Sequence, residues 1–130
     1  MSSTGFRVTS AQPLVAVVCA VPLLVEAVDA ALESVAEVRA FPARGGDTAG
    51  LLRWLQPDLV IVDSDESAIE AAVVAEECGL PLVHISVRER ALRVFRNGTW
   101  QRVGNGEGPT PEAIRNVVAG TLFGRRETSN

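Results

Sequence analysis

The sequence predicts an α/β fold: a three-layer sandwich with a mostly parallel sheet, built from βαβ units and completed by a C-terminal β-hairpin and a final helix. Three observations predict it. Short apolar runs alternate with segments of helical periodicity, as parallel strands joined by crossover helices require. The runs are continuous rather than alternating, which suits strands covered on both faces. The pattern then breaks once, at Asn97-Gly98, the strongest two-residue hairpin signal.

Residues 1–12 are rich in Ser and Thr without periodicity and are expected to form a flexible arm. The first strand is Leu14-Val-Ala-Val-Val-Cys-Ala20. Pro22, with its fixed φ, opens a helix in which Leu24, Val28, Leu32 and Val35 share one face, opposite Glu26, Asp29 and Glu33. Residues 37–43 form a second strand, at an edge because Pro42 cannot donate to a ladder. After a turn at Arg44-Gly-Gly46, Asp47 or Thr48 caps a short helix whose apolar side holds Leu51, Leu52 and Leu55, and Pro57 ends it. Asp58-Leu-Val-Ile-Val-Asp63 is a strand closed by a carboxylate. A helix over 66–78 follows, capped by Gly79, and residues 80–87 make the fourth strand. Beyond Arg88-Glu-Arg90, residues 92–96 and 99–103 flank the Asn97-Gly98 turn. Gly104, Gly106 and Gly108 form a loop. Thr110 then caps a last helix, started by Pro111, that carries Ile114, Val117, Val118 and Leu122 and stops at Gly124. The expected organisation is one domain over 13–124 and a flexible tail over 125–130.

A chain of 130 residues can bury a core without disulfide or metal staples. Its longest apolar run, from Pro13 to Val25, falls short of the ~20 residues of a membrane span and is interrupted by Pro22. Residues 1–12 lack the charged and apolar regions of a secretory signal. Cys19 and Cys78 both sit in apolar sequence surroundings, read as packing rather than as a disulfide framework, so a cytoplasmic location is expected. The twelve basic residues are all arginine, and a chain without lysine excludes every mechanism that needs a lysine ammonium. The net charge of −4 opposes nucleic-acid binding.

Ligands of open α/β sheets gather beyond the carboxyl ends of the strands, where this sequence places Asp63, Ser64, Ser86 and Arg88. Helix starts at Pro22, Thr48 and Pro111 point to the same edge, and their free N–H groups suit a small anion. Asp63, Ser64, Ser86, Arg88 and Thr48 are therefore the ligand-binding candidates. No catalytic set emerges. His84, mid-strand between Val83 and Ile85, reads as a sheet-face imidazole. Asp63, Asp65 and Glu66 read as acids that complement a helix dipole, so neither a metal nor another cofactor is expected. Pairing across Asn97-Gly98 puts Arg93, Phe95, Trp100 and Arg102 on one hairpin face, with Leu92, Val94 and Val103 on the other. With the aliphatic face inward, the aromatics and arginines form the expected contact surface for a protein partner or a second copy.

The strand PDLVIVDSD, ending at Asp63, with Ser86 at the end of the next strand, resembles the response-regulator receiver domain. The resemblance spans roughly residues 14–86. It implies a flavodoxin-like fold and a signalling role, with Asp63 in the place of the phosphoacceptor and Ser86 in that of the hydroxyl residue. Three features depart from it. Receivers carry an acidic pair for Mg²⁺ after the first strand, where this chain has Cys19-Ala-Val-Pro22. They carry a lysine on the last strand, and this chain has none. The segment from Asp63 to Ser86 is also shorter than theirs. The resemblance thus implies a degenerate receiver without phosphoryl-transfer chemistry. PDLVIVDS followed by AAVVAEECGLPLVHIS is also similar to one Rossmann-like half of a two-domain sugar-nucleotide glycosyltransferase. The expected function is a non-enzymatic protein-interaction or regulatory module. The alternative is a small-anion or nucleotide-binding domain, or a non-catalytic subunit completing an enzyme formed with another chain.

Overall fold

The computed structural model describes residues 12–43, 47–103 and 109–123. The arm over 1–11, the turn at 44–46, the glycine loop at 104–108, the stop at Gly124 and the tail over 125–130 lie outside the described residues. In chain order the elements are β1 (Leu14–Cys19), α1 (Pro22–Ala31), β2 (Glu37–Pro42), α2 (Thr48–Leu55), β3 (Leu59–Val62), α3 (Asp65–Cys78), β4 (Leu82–Ser86), β5 (Ala91–Arg96), β6 (Thr99–Val103) and α4 (Pro111–Phe123). They build one sheet in the order β2-β1-β3-β4-β5-β6. β1 pairs in parallel with β2 and β3, and β3 with β4, whereas β4–β5 and β5–β6 are antiparallel. As expected from Pro42, β2 lies at an edge.

Strand side chains alternate between two faces, and both faces are covered, which is why the apolar runs are continuous. Val17, Ile61, Ile85 and Val94 pack on one face beneath Val28 of α1 and Ile114 and Val118 of α4. Val18, Val62, Leu82 and Phe95 pack on the other beneath Leu52 of α2 and Ala71 and Val74 of α3. Local chemistry sets the ends of the elements. The Ser64 hydroxyl accepts the Ser67 N–H at 3.1 Å to start α3, and Gly79, at φ 68°, closes that helix in a left-handed conformation that costs glycine nothing. Thr110 accepts the Ala113 N–H at 3.1 Å at the start of α4. Asn97 and Gly98 both have positive φ, 55° and 77°, as a type I′ hairpin turn requires.

A doubly wound sheet of order 2-1-3-4-5 needs a crossover after its fourth strand to keep the fifth parallel. In this chain a tight turn over residues 87–90 takes that place, so β5 runs backwards. Among the described residues no helix therefore covers the face beyond α3, and β6 is exposed there.

Two expectations are corrected. Phe95 does not face outward with Trp100: it is 6% exposed and belongs to the cluster beneath α3, whereas Trp100 is 38% exposed. The outward assignment supposed that only one hairpin face packs, but α3 reaches past β4 onto β5, so β5 is covered on both faces. Cys78 is exposed at the last position of α3, while Cys19 is buried; apolar packing holds for Cys19 alone.

Candidate functional site

The candidate site lies at the carboxyl edge of β1, β3 and β4, and Asp63 occupies its centre. Helix α1 starts without a cap of its own: Val21 at the N-cap position has no side-chain acceptor, the first turn has no acid, and Pro22 has no N–H. Asp63 supplies what is missing from the neighbouring strand. The Ala20 N–H donates to both of its carboxylate oxygens, at 3.0 and 2.9 Å, and the Val21 N–H donates to one, at 3.1 Å. The negative charge also stands at the positive end of the α1 dipole. The sequence reading assigned Asp63 to the helix that follows it, whereas the structure joins it to the helix that follows β1.

At the other end of β3, Asp58 plays a matching part, accepting the Leu14 N–H at 2.8 Å. Two aspartates thus fasten the ends of β3 to the ends of β1. Asp58 was not among the sequence candidates, although an aspartate on each side of a short apolar strand is the signal that could have found it.

The remaining ligand-binding candidates are spread around this edge, and the described contacts of Ser64, Ser86 and Thr48 are structural. Ser64 is occupied as the cap of α3. The Ser86 hydroxyl accepts the Glu89 N–H at 3.1 Å and shapes the turn into β5. Thr48 is buried, 3% exposed, and its N–H donates to a Glu70 carboxylate oxygen at 3.2 Å, so this helix start already has its anion. Arg88 is exposed in the turn. Burial pushes the Cys19 thiol far above its usual range, and the Asp63 charge adds to this, which keeps it a neutral packing group.

A second cluster lies one strand further out, on the face shared with α3. His84 is 5% exposed, with its Nε2 3.6 Å from an Asp65 carboxylate oxygen. The Trp100 ring meets His84 edge-on, with centroids 6.0 Å apart, and lies tilted against Phe95 at 5.0 Å. Arg93, opposite His84 in the sheet, pairs with Glu89 at 2.6 Å. Of the four partner-binding candidates, Arg93, Trp100 and Arg102 remain accessible at the surface and Phe95 does not.

Burial is the main influence on His84 and holds its pKa below the usual 6.5, against the opposing attraction of Asp65. Above pH 6.5 the imidazole is neutral in both the folded and unfolded chains. As the pH falls below that value the unfolded chain takes up the proton first, and stability declines until the folded protein protonates as well. Urea midpoints are expected to fall through this acidic window in the wild type and to fall less steeply in His84→Phe. Equal slopes for the two proteins would show that His84 contributes nothing to the acid sensitivity.

Among the described residues no group of three His, Cys, Asp or Glu side chains is placed to hold a metal ion, and no helix is long and apolar enough to cross a membrane. One surface groove lies at the opposite, amino edge of the sheet, bounded by Gln56, Pro81, Arg96, Asn97 and Phe123. Another runs between β6 and α4 past Gln101, Asn116 and Val117.

No family model matches the chain, and no curated protein matches it. Two solved structures do. The response regulator PhyR from Brucella abortus superposes with a TM-score of 0.62 at 17% identity, covering 91% of this chain and 51% of that one. A mutant of the anti-anti-sigma factor PhyR from Bartonella quintana superposes with a TM-score of 0.61 at 16% identity, covering 91% and 52%. The chain spans about half the length of these proteins. The likeness establishes a receiver-like α/β fold and lends nothing to the glycosyltransferase resemblance.

Proposed function

We propose that this chain is a regulatory protein-interaction domain that keeps a receiver-like fold without phosphoryl-transfer chemistry. The observation that carries the reading is the engagement of Asp63. Both of its oxygens accept backbone N–H groups from Ala20 and Val21, so the carboxylate is used to hold the start of α1. Three features support it. The stretch Cys19-Ala-Val-Pro22, where a receiver carries its acidic pair, offers no carboxylate for a divalent ion. The chain has no lysine to balance charge on a phosphoryl group. The fifth strand is reversed, so its last residue, Arg96, ends at the edge opposite Asp63. Both structural neighbours are named for regulatory work, response regulation and anti-anti-sigma action, which supports the regulatory half of the proposal.

Incubation with acetyl phosphate and Mg²⁺ is expected to leave the intact mass unchanged. A stable phosphorylated species that disappears in Asp63→Asn would overturn the proposal.

A further inference from the structure

Strand β6 ends the sheet, and among the described residues no strand pairs with its outer edge. Residues Thr99, Trp100, Gln101 and Arg102 are all exposed. The other end of the sheet, β2, is blunted by Pro42, whereas β6 has no proline. The hairpin turn decides which backbone groups of β6 point outward. A type I′ turn at Asn97-Gly98 makes Arg96 and Thr99 a hydrogen-bonded pair. Antiparallel alternation then turns the Gln101 N–H and C=O toward Val94 and leaves those of Trp100 and Arg102 pointing away from β5.

We infer that this edge pairs antiparallel with the same edge of a second copy, about a two-fold axis passing through Gln101. Pairing centred there sets Trp100 of each copy opposite Arg102 of the other, in the positions whose N–H and C=O groups are free to bond across the junction. An indole meets a guanidinium on each side of the axis, a cation–π pair that is repeated by symmetry. Centring the axis on Arg102 would set two guanidinium groups face to face, and centring it on Trp100 would leave Arg102 opposite Gly98. The charge and size pattern of β6 thus selects one register. The result is a continuous sheet through both copies, with Trp100 and Arg102 on the face that α3 leaves open. A junction of five-residue strands is smaller than a standard interface and fits an exchanging dimer with a Kd on the order of tens of micromolar.

This inference rests on the reading of the chain as an interaction module and names the partner as a second copy. Sedimentation of the full chain across that concentration range is expected to show mass rising toward twice 13.8 kDa. Arg102→Pro removes an outward N–H without touching the β5 ladder and is expected to weaken self-association about tenfold or more. Trp100→Arg sets arginine against arginine and is expected to give a monomer, and adding Arg102→Glu to it restores the dimer by setting Arg against Glu. Because both of the last proteins lack the indole, their difference reports the junction and not the fold. Amide exchange should slow with concentration at Trp100 and Arg102 and stay concentration-independent at Gln101. A wild type that remains monomeric throughout, a dimer that survives Arg102→Pro, or a double variant as monomeric as Trp100→Arg would each overturn the inference. A chain that dimerises through β6 and is also phosphorylated at Asp63 would overturn only the absence of phosphoryl chemistry. An unphosphorylated monomer would overturn only the β6 junction.

Discussion

Phe95→Ala is expected to destabilise the protein by about 3–5 kcal/mol, and Trp100→Ala by about 1 kcal/mol, although the two residues face each other across the hairpin. Phe95 is enclosed by β4, α3 and the Trp100 ring, so its removal leaves a cavity that rigid sheet and helix neighbours close only in part. Trp100 already meets solvent, and among the described residues no helix covers it, so its loss chiefly removes the ring contacts with Phe95 and His84. A domain with ~5–15 kcal/mol of total stability is placed near its folding threshold by the first change and not by the second. Denaturant midpoints of the two variants are the measurement. Equal losses would show that both aromatics are core residues and would remove Trp100 from the surface available to a partner.

Asp63→Ala is expected to cost about 2 kcal/mol, since hydrogen bonds to a charged acceptor contribute about 1.5–3 kcal/mol and this carboxylate is half-buried. The Ala20 and Val21 N–H groups would be left at the start of a helix that has no cap of its own. Asp63→Asn keeps one carbonyl acceptor and is expected to fall between the wild type and alanine. Asp58→Ala, which releases only the Leu14 N–H, should cost about 1 kcal/mol. The order of the denaturant midpoints tests the assignment: an Asp63→Ala protein as stable as the wild type would show that the carboxylate does not secure α1.

The strands and the hairpin register were legible because they depend on neighbours in sequence. Alternation across Asn97-Gly98 determines the pairing of Phe95 with Trp100 and of Arg93 with Arg102, as observed. The reversal of β5 against β4 was not among the expectations, although the short connection at Arg88-Glu-Arg90 leaves no room for a crossover helix. The burial of Phe95 was not legible, because it depends on how far α3 extends across the sheet rather than on the hairpin itself. The partners of Asp63 were hidden for a related reason: they lie 42 and 43 positions earlier in the chain, and only the β1–β3 register brings them together. The exposure of Cys78 likewise depends on where α3 ends against the sheet.

The strand order has a consequence for assembly during synthesis. Once β1 and β2 have paired, every later strand joins the sheet in chain order on the same side, from β3 through β6. Growth is vectorial, and the most recently made strand always presents the open edge. The last of the described elements, α4, then brings Ile114 and Val118 into one cluster with Val28 of α1 and Val94 of β5. One late helix thereby ties the first of the described helices to the fifth strand. Until it arrives, the apolar face formed by Ile85, Leu92 and Val94 has no cover of its own, so a nascent chain stopped before residue 111 would carry an adhesive sheet where the finished protein has a sealed layer.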